Sequence, residues 1–124
     1  MPERLCELGY PGPLRDRLVD AVLRGQKTAT SSRLEDWRAD GEPLPYAGER
    51  QTVIDSAGQP VAAVEIVGVE VIRCGDADMQ LALDEGEGFD SVADWRQAHD
   101  EFWNGEVDDD TPIVVERFRL VERL

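Results

Sequence analysis

The chain is short of the residues that many catalytic centres need. It has one histidine and two cysteines in 124 residues, and no apolar run near the roughly 20 residues that cross a bilayer. One histidine excludes two-histidine ribonuclease chemistry within a single chain, and histidine-rich zinc sites with it. Any Ser-His-Asp triad would have to use His99. Cys6 and Cys74 stand alone without metal-type spacing, as expected of reduced thiols in a cytoplasmic protein. Met1-Pro2-Glu3-Arg4 leads straight into polar sequence without a signal-peptide core.

Positive charge is scarce as well. Thirteen basic residues are scattered among 27 acidic ones, for a formal charge of −14. A domain that grips long nucleic acid by its phosphates carries a dense basic patch. Here a local basic groove has only Arg15, Arg17, Arg24, Lys27 and Arg33 to draw on, and the overall field repels a long polyanion. A small neutral substrate such as a nucleoside suits this surface better, with weak or no binding of long nucleic acid. The length fits one domain spanning residues 1–124, without repeats, low-complexity tracts or a linker.

What is present is the stretch Gly25-Gln26-Lys27-Thr28-Ala29-Thr30-Ser31-Ser32. It follows an amphipathic segment with Leu14, Leu18, Ala21 and Val22 at helical spacing, opened by Pro13 and stopped by Gly25. A second helical pattern with Leu34 and Trp37 comes next. If the backbone turns helically, Lys27 lies beside the hydroxyl of Thr30. A lysine made less basic by burial can take the proton of such a hydroxyl and create a nucleophile. Amides opening the next helix can then hold the charge that develops on a substrate oxygen. The same residues also read as a polar connection with a serine N-cap.

Beyond Gly41-Glu42-Pro43-Leu44-Pro45, a turn-rich connection, residues 51–55 read as a strand and 56–59 as a hairpin loop. Residues 60–72 form a long alternating strand with both faces mostly apolar, as in a curled sheet, and Gly68 marks a bend. A short helix is expected over 76–84, broken by Gly86 and Gly88. A helix capped by Ser91 follows, with Val92, Trp95, His99 and Phe102 on one face, and a closing strand over 113–121. The acidic run 106–110 lacks EF-hand spacing and reads as a solvated loop. The pattern is α+β: a small mixed barrel with flanking helices.

Two residues carry two readings each. Glu65 interrupts an apolar strand face, either as a rim carboxylate satisfied by amides or an arginine, or as a site carboxylate paired with Lys27. His99 reads as a packed core residue in preference to a catalyst.

The order GQKTAT, VEI on a barrel strand, DEGEG, SVADWRQAH and a final VVERFRL resembles the ASCH domain family, a branch of the PUA-like β-barrel superfamily associated with RNA and modified nucleosides. The likeness runs from about Leu14 to Val121 and implies a small PUA-like mixed β-barrel. Small members similar to this chain are amidohydrolases that remove the acyl group from N(4)-acetylcytidine and related acylated cytosines. The family's lysine falls on Lys27, its threonine nucleophile on Thr30, and its late glutamate on Glu85, with Glu87 the competing alignment. Glu65 matches a strand glutamate of the family. Where those amidohydrolases carry an arginine two positions after the threonine, this chain has Ser32.

The mechanism this implies starts when Lys27 deprotonates Thr30, which attacks the amide carbonyl while backbone amides near Thr30 and Ser31 receive the oxyanion. Glu85 helps protonate the leaving amine or orients the base, and water clears the acyl-threonine. Ser31, Ser32, Glu65, Glu87 and Trp95 are the expected substrate contacts. Trp95, Tyr46 or Trp103 can stack on the pyrimidine, although aromatics in a small domain usually serve packing. No metal or organic cofactor is expected. The alternatives are a non-catalytic reader of RNA or modified nucleotides, and a ribonuclease that uses Lys27 with nearby hydroxyls.

Overall fold

The computed structural model describes residues 3–124. Its centre is a long hairpin-like pair, β4 (Pro60–Arg73) against β5 (Pro112–Arg123), running antiparallel. β3 (Arg50–Ile54) flanks β4, and β1 (Arg4–Cys6) adds to β3 in parallel. β2 (Ala29–Arg33) lies antiparallel to β5 at the far edge, giving the order β1-β3-β4-β5-β2. Register shifts between Ala63 and Val64 and between Ile66 and Gly68 bend the central pair, so the sheet curls into a half-barrel. Gly68 is the bend expected from the sequence.

Four helices close this half-barrel: α1 (Pro13–Leu23), α2 (Leu34–Ala39), α3 (Met79–Asp84) and α4 (Val92–Phe102). The third starts later than expected. A 3-10 turn occupies Cys74–Asp76, and the Asp78 carboxylate caps the helix proper by accepting the Leu81 amide at 2.9 Å. Ser91 caps α4 in the same way, accepting the Asp94 amide at 3.0 Å.

The apolar residues separate into two clusters. One lies under α1, where Leu18, Val19 and Val22 meet Val53, Val64, Ile66 and Phe118. The other lies under α3 and α4, where Leu81, Trp95 and Trp103 meet Ile113 and Val115. The loop after α1 and the loop after α3 meet between them. Arg24 and Glu85 are the C-caps of α1 and α3, and each is followed by a glycine in the left-handed region, Gly25 (φ 76°) and Gly86 (φ 69°).

At Gly86 the fit is tight. A Cβ there would stand 2.5 Å from the Gln26 carbonyl oxygen and 2.6 Å from the Lys27 nitrogen. Gly86→Ala therefore combines a strained φ with a clash against backbone that cannot swing aside. We expect it to lower the unfolding free energy by about 1–3 kcal/mol, read by urea denaturation.

Two expectations need correcting. β1 was not foreseen, and Ala29–Arg33 is an extended edge strand, neither a helical turn nor a helix opening. The condition that would stack Lys27 on Thr30 along a helix is not met. The amides of α2, which begins only at Leu34, are not the ones beside Thr30.

Candidate active site

Lys27, Thr30, Ser31, Glu85, Glu87 and His99 line one cavity of about 620 Å³, whose apolar wall includes Leu14, Phe89 and the stacked rings of Tyr10 and Phe102. That volume is within the range of small-molecule sites. A second cavity of about 530 Å³ adjoins it, lined by Arg4, Trp37, Gln51 and Glu116. Thr30 and Ser31 line both.

Lys27 is 2 % exposed, and it is the only lysine of the chain. Its Nζ donates to the carbonyls of Ala29 at 2.8 Å and Glu85 at 3.3 Å. It stands 3.8 Å from the Glu85 carboxylate and 3.9 Å from that of Glu87. These hydrogen bonds tie Lys27 to Ala29 and Glu85 and leave the Thr30 hydroxyl outside them. The rarity of lysine was a signal available in the sequence. An acidic protein that uses arginine 12 times and lysine once, and buries that lysine, singles the residue out.

Glu85 is 1 % exposed and surrounded by donors. Ser31 Oγ donates to Oε2 at 2.9 Å, Trp95 Nε1 donates to the same oxygen at 2.5 Å, and His99 Nε2 lies 3.3 Å from Oε1. Burial alone would raise its pKa. The His99 hydrogen bond, the Lys27 charge and the Trp95 hydrogen bond outweigh that and hold it below the ordinary carboxylate range. Glu85 accepts from Ser31 and Trp95, which suits the second of its two expected roles, orientation of the base. Glu87, with a side chain 23 % exposed, is pushed the other way, by burial and by the Glu85 charge, although Lys27 opposes the shift.

The remaining expected contacts divide. Ser31 is in place. Ser32 is engaged elsewhere, accepting from Trp37 Nε1 at 2.8 Å, and lines only the second cavity. Glu65 is not in the site: its carboxylate takes Arg119 Nη2 at 2.7 Å on the outer sheet, the arginine-satisfied reading of that residue. Trp95 is 1 % exposed, so it cannot stack on a substrate; its indole positions Glu85. Tyr46 is exposed and lines neither cavity, and Trp103 borders only the second. His99, read from sequence as core, faces the first cavity.

The edge position of β2 supplies one further group. The Phe118 amide donates to the Thr28 carbonyl at 3.0 Å. Alternation along an antiparallel ladder then bonds Thr30 and Ser32 to β5 and turns the amides of Ala29, Ser31 and Arg33 to the free edge. The Ser31 N–H is the donor this geometry offers to an oxyanion.

Glu85, Glu87 and His99 also bring ligand atoms within 4.8 Å of one another, the one such group among the described residues. Lys27 Nζ already stands against both carboxylates, so an amine meets their charge. Among the described residues, no helix is long and apolar enough to cross a membrane.

A curled half-barrel with this cleft is a PUA-like architecture of the ASCH type. The sequence model of the ASCH domain matches residues 7–122, and the chain belongs to that family. Solved structures agree. Protein EF3133 from Enterococcus faecalis V583, assigned to DUF984, superposes with a TM-score of 0.85 at 27 % identity, covering 99 % of this chain and 78 % of its own. An ASCH domain from Lactobacillus crispatus JV V101 gives 0.79 at 28 %, covering 92 % and 78 %. An ASCH protein from Zymomonas mobilis, at 10 % identity and 0.65, covering 98 % and 72 %, shares the fold. No curated protein matches the chain.

Proposed function

We propose that this ASCH protein is an amidohydrolase that removes the acyl group from N(4)-acetylcytidine or a related N(4)-acylcytosine. The observation that carries the reading is the convergence of Lys27 and Thr30 with Glu85, 58 residues beyond Lys27 in sequence, on one cavity of about 620 Å³. In this mechanism Lys27 acts as the neutral amine: Thr30 Oγ1 attacks the amide carbonyl and gives its proton to Lys27. The Ser31 amide, at the free edge of β2, receives the oxyanion. Glu85, fixed by Ser31 and Trp95, accepts from N4–H, the single donor of the acylated base, and sets its orientation. Water then releases the acyl group from Thr30. A reader of nucleotides would have no need of a buried lysine and carboxylate beside a hydroxyl.

The charge of −14 favours a free, neutral nucleoside over a long polyanion. Incubation with N(4)-acetylcytidine should release cytidine, followed by chromatography. In parallel, single-stranded RNA should bind weakly, with a salt slope corresponding to only a few released counterions. Tight RNA binding that survives physiological salt, with the nucleoside left intact, would replace the enzyme by an RNA reader.

A further inference from the structure

An amide does not part with its amine unless the leaving nitrogen acquires a proton, and Glu85, ringed by donors, has none to give. The only histidine of the chain stands beside it. His99 is 8 % exposed, its ring stacked on Trp95 at 4.2 Å between centroids and tilted against Trp103 at 5.0 Å. Nδ1 lies 2.7 Å from the Trp95 carbonyl, a contact that only an N–H can make. Nδ1 thus keeps its hydrogen in both protonation states, and titration is confined to Nε2. Nε2 lies 3.3 Å from Ser31 Oγ and 3.3 Å from Glu85 Oε1, at the wall of the cavity that Thr30 also lines.

We propose that His99 is the proton carrier of the hydrolysis: Nε2–H protonates the departing N4 of cytidine, and the neutral imidazole then takes a proton from the water that attacks the acyl-threonine. The inference rests on the amidohydrolase reading and adds a residue to it. The steps balance. As the Thr30 oxygen–carbon bond forms, the Thr30 proton passes to Lys27. As the carbon–nitrogen bond breaks, N4 takes the electron pair and the His99 proton. Water adds its oxygen to the acyl carbon and leaves a proton on His99, and the Thr30 oxygen departs with the proton held by Lys27. Enzyme groups return to their starting states, and the net reaction is amide plus water to acid plus amine.

The surroundings suit an imidazolium that is discharged and recharged. Glu85 and Glu87 face it from the connection between α3 and α4, and Lys27 from the loop before β2, Arg17 from α1 and Glu101 from its own helix line the same cavity. Burial depresses its basicity, but the hydrogen bond and charge of Glu85, the Trp95 carbonyl and the Glu87 charge more than offset this and raise its pKa above the ordinary imidazole value. Ser31, bonded to Glu85 and within reach of Nε2, is a positioning residue that holds the pair in register.

The test compares the whole protein with His99→Asn, whose amide nitrogen can still donate to the Trp95 carbonyl, on two substrates. With N(4)-acetylcytidine, kcat should fall by about 10²–10⁴. With 4-nitrophenyl acetate, whose phenolate leaves unprotonated, the variant should keep the initial burst and lose the slow phase that follows. The alkaline fall of wild-type kcat on the amide should share its midpoint with the His99 ring resonance, a single signal by proton NMR because the histidine is unique. A folded variant that cleaves the amide normally, or that loses the burst in proportion, overturns the proposal. If His99→Asn does not fold, titration of wild-type protein with cytidine decides, since a ring resonance unmoved by saturating cytidine also overturns it. A wild type that leaves the nucleoside intact but shows the burst and slow phase refutes the substrate reading while His99 stands. Inertness toward both substrates refutes both.

Discussion

Thr30→Ala should abolish release of cytidine from N(4)-acetylcytidine, lowering kcat by on the order of 10³ or more. The nearest rival hydroxyl is Ser31, one residue on, but its Oγ is committed to Glu85 at 2.9 Å, and its side chain alternates with that of Thr30 on the strand. A substrate carbonyl seated against the Ser31 amide meets Thr30 from the cavity that both residues line. Thr30→Ser should retain a measurable fraction, because a hydroxyl remains at the same position. Mass spectrometry of protein quenched during turnover should find the acyl group on the peptide that contains Thr30. Near-normal turnover by folded Thr30→Ala would sink this assignment, and an acyl group on Ser31 would transfer the nucleophile to that residue.

Lys27→Arg should fail almost as badly as Lys27→Ala. Arginine places a permanent cation opposite Glu85 and Glu87, so a purely electrostatic role would survive the change. It does not give up a proton at usable pH, so a base would not survive it. The two roles therefore separate in kcat, measured at saturating N(4)-acetylcytidine and with folding checked by circular dichroism. The second readout matters because Lys27 is buried and a guanidinium is larger. An arginine variant with good turnover would make Lys27 an anchor for Glu85 and shift weight to the nucleotide reader or the ribonuclease.

Much of the scaffold was legible because its signals are local. Alternation over residues 60–72 gives β4, and the Asp55-to-Gln59 turn is held by Asp55 Oδ1, which accepts the amides of Ala57 and Gln59 at 2.9 Å. Ser91 and the face of Trp95 and His99 give α4. β2 was illegible for the opposite reason. Thr-Ser-Ser reads as loop until β5 lies beside it, and nothing near in sequence announces that pairing. β1 has three residues, too few for any period. Glu65 misled because one strand cannot show that Arg119, 54 residues on, already answers its charge. His99 has both characters at once: an aromatic face packs it, and Nε2 looks into the cavity. Periodicity registers only the first.

The two halves of the site meet through side chains on Glu85 and Glu87 and through one backbone hydrogen bond between the loops. The Thr28 amide donates to the Asp84 carbonyl at 2.7 Å, and Gly86 lies flat against Gln26. Thr28 and Asp84 are 56 residues apart, so no local segment keeps them together once the loops part. Parting of these loops would separate Lys27 from Glu85 while the β4–β5 pair stayed intact, since none of the ladder bonds is involved. The exchange rate of the Thr28 amide with deuterium is then a direct gauge of how often the centre disassembles, distinct from the slower exchange of the central strands. A ligand that bridges the cavity should slow that one amide ahead of the rest.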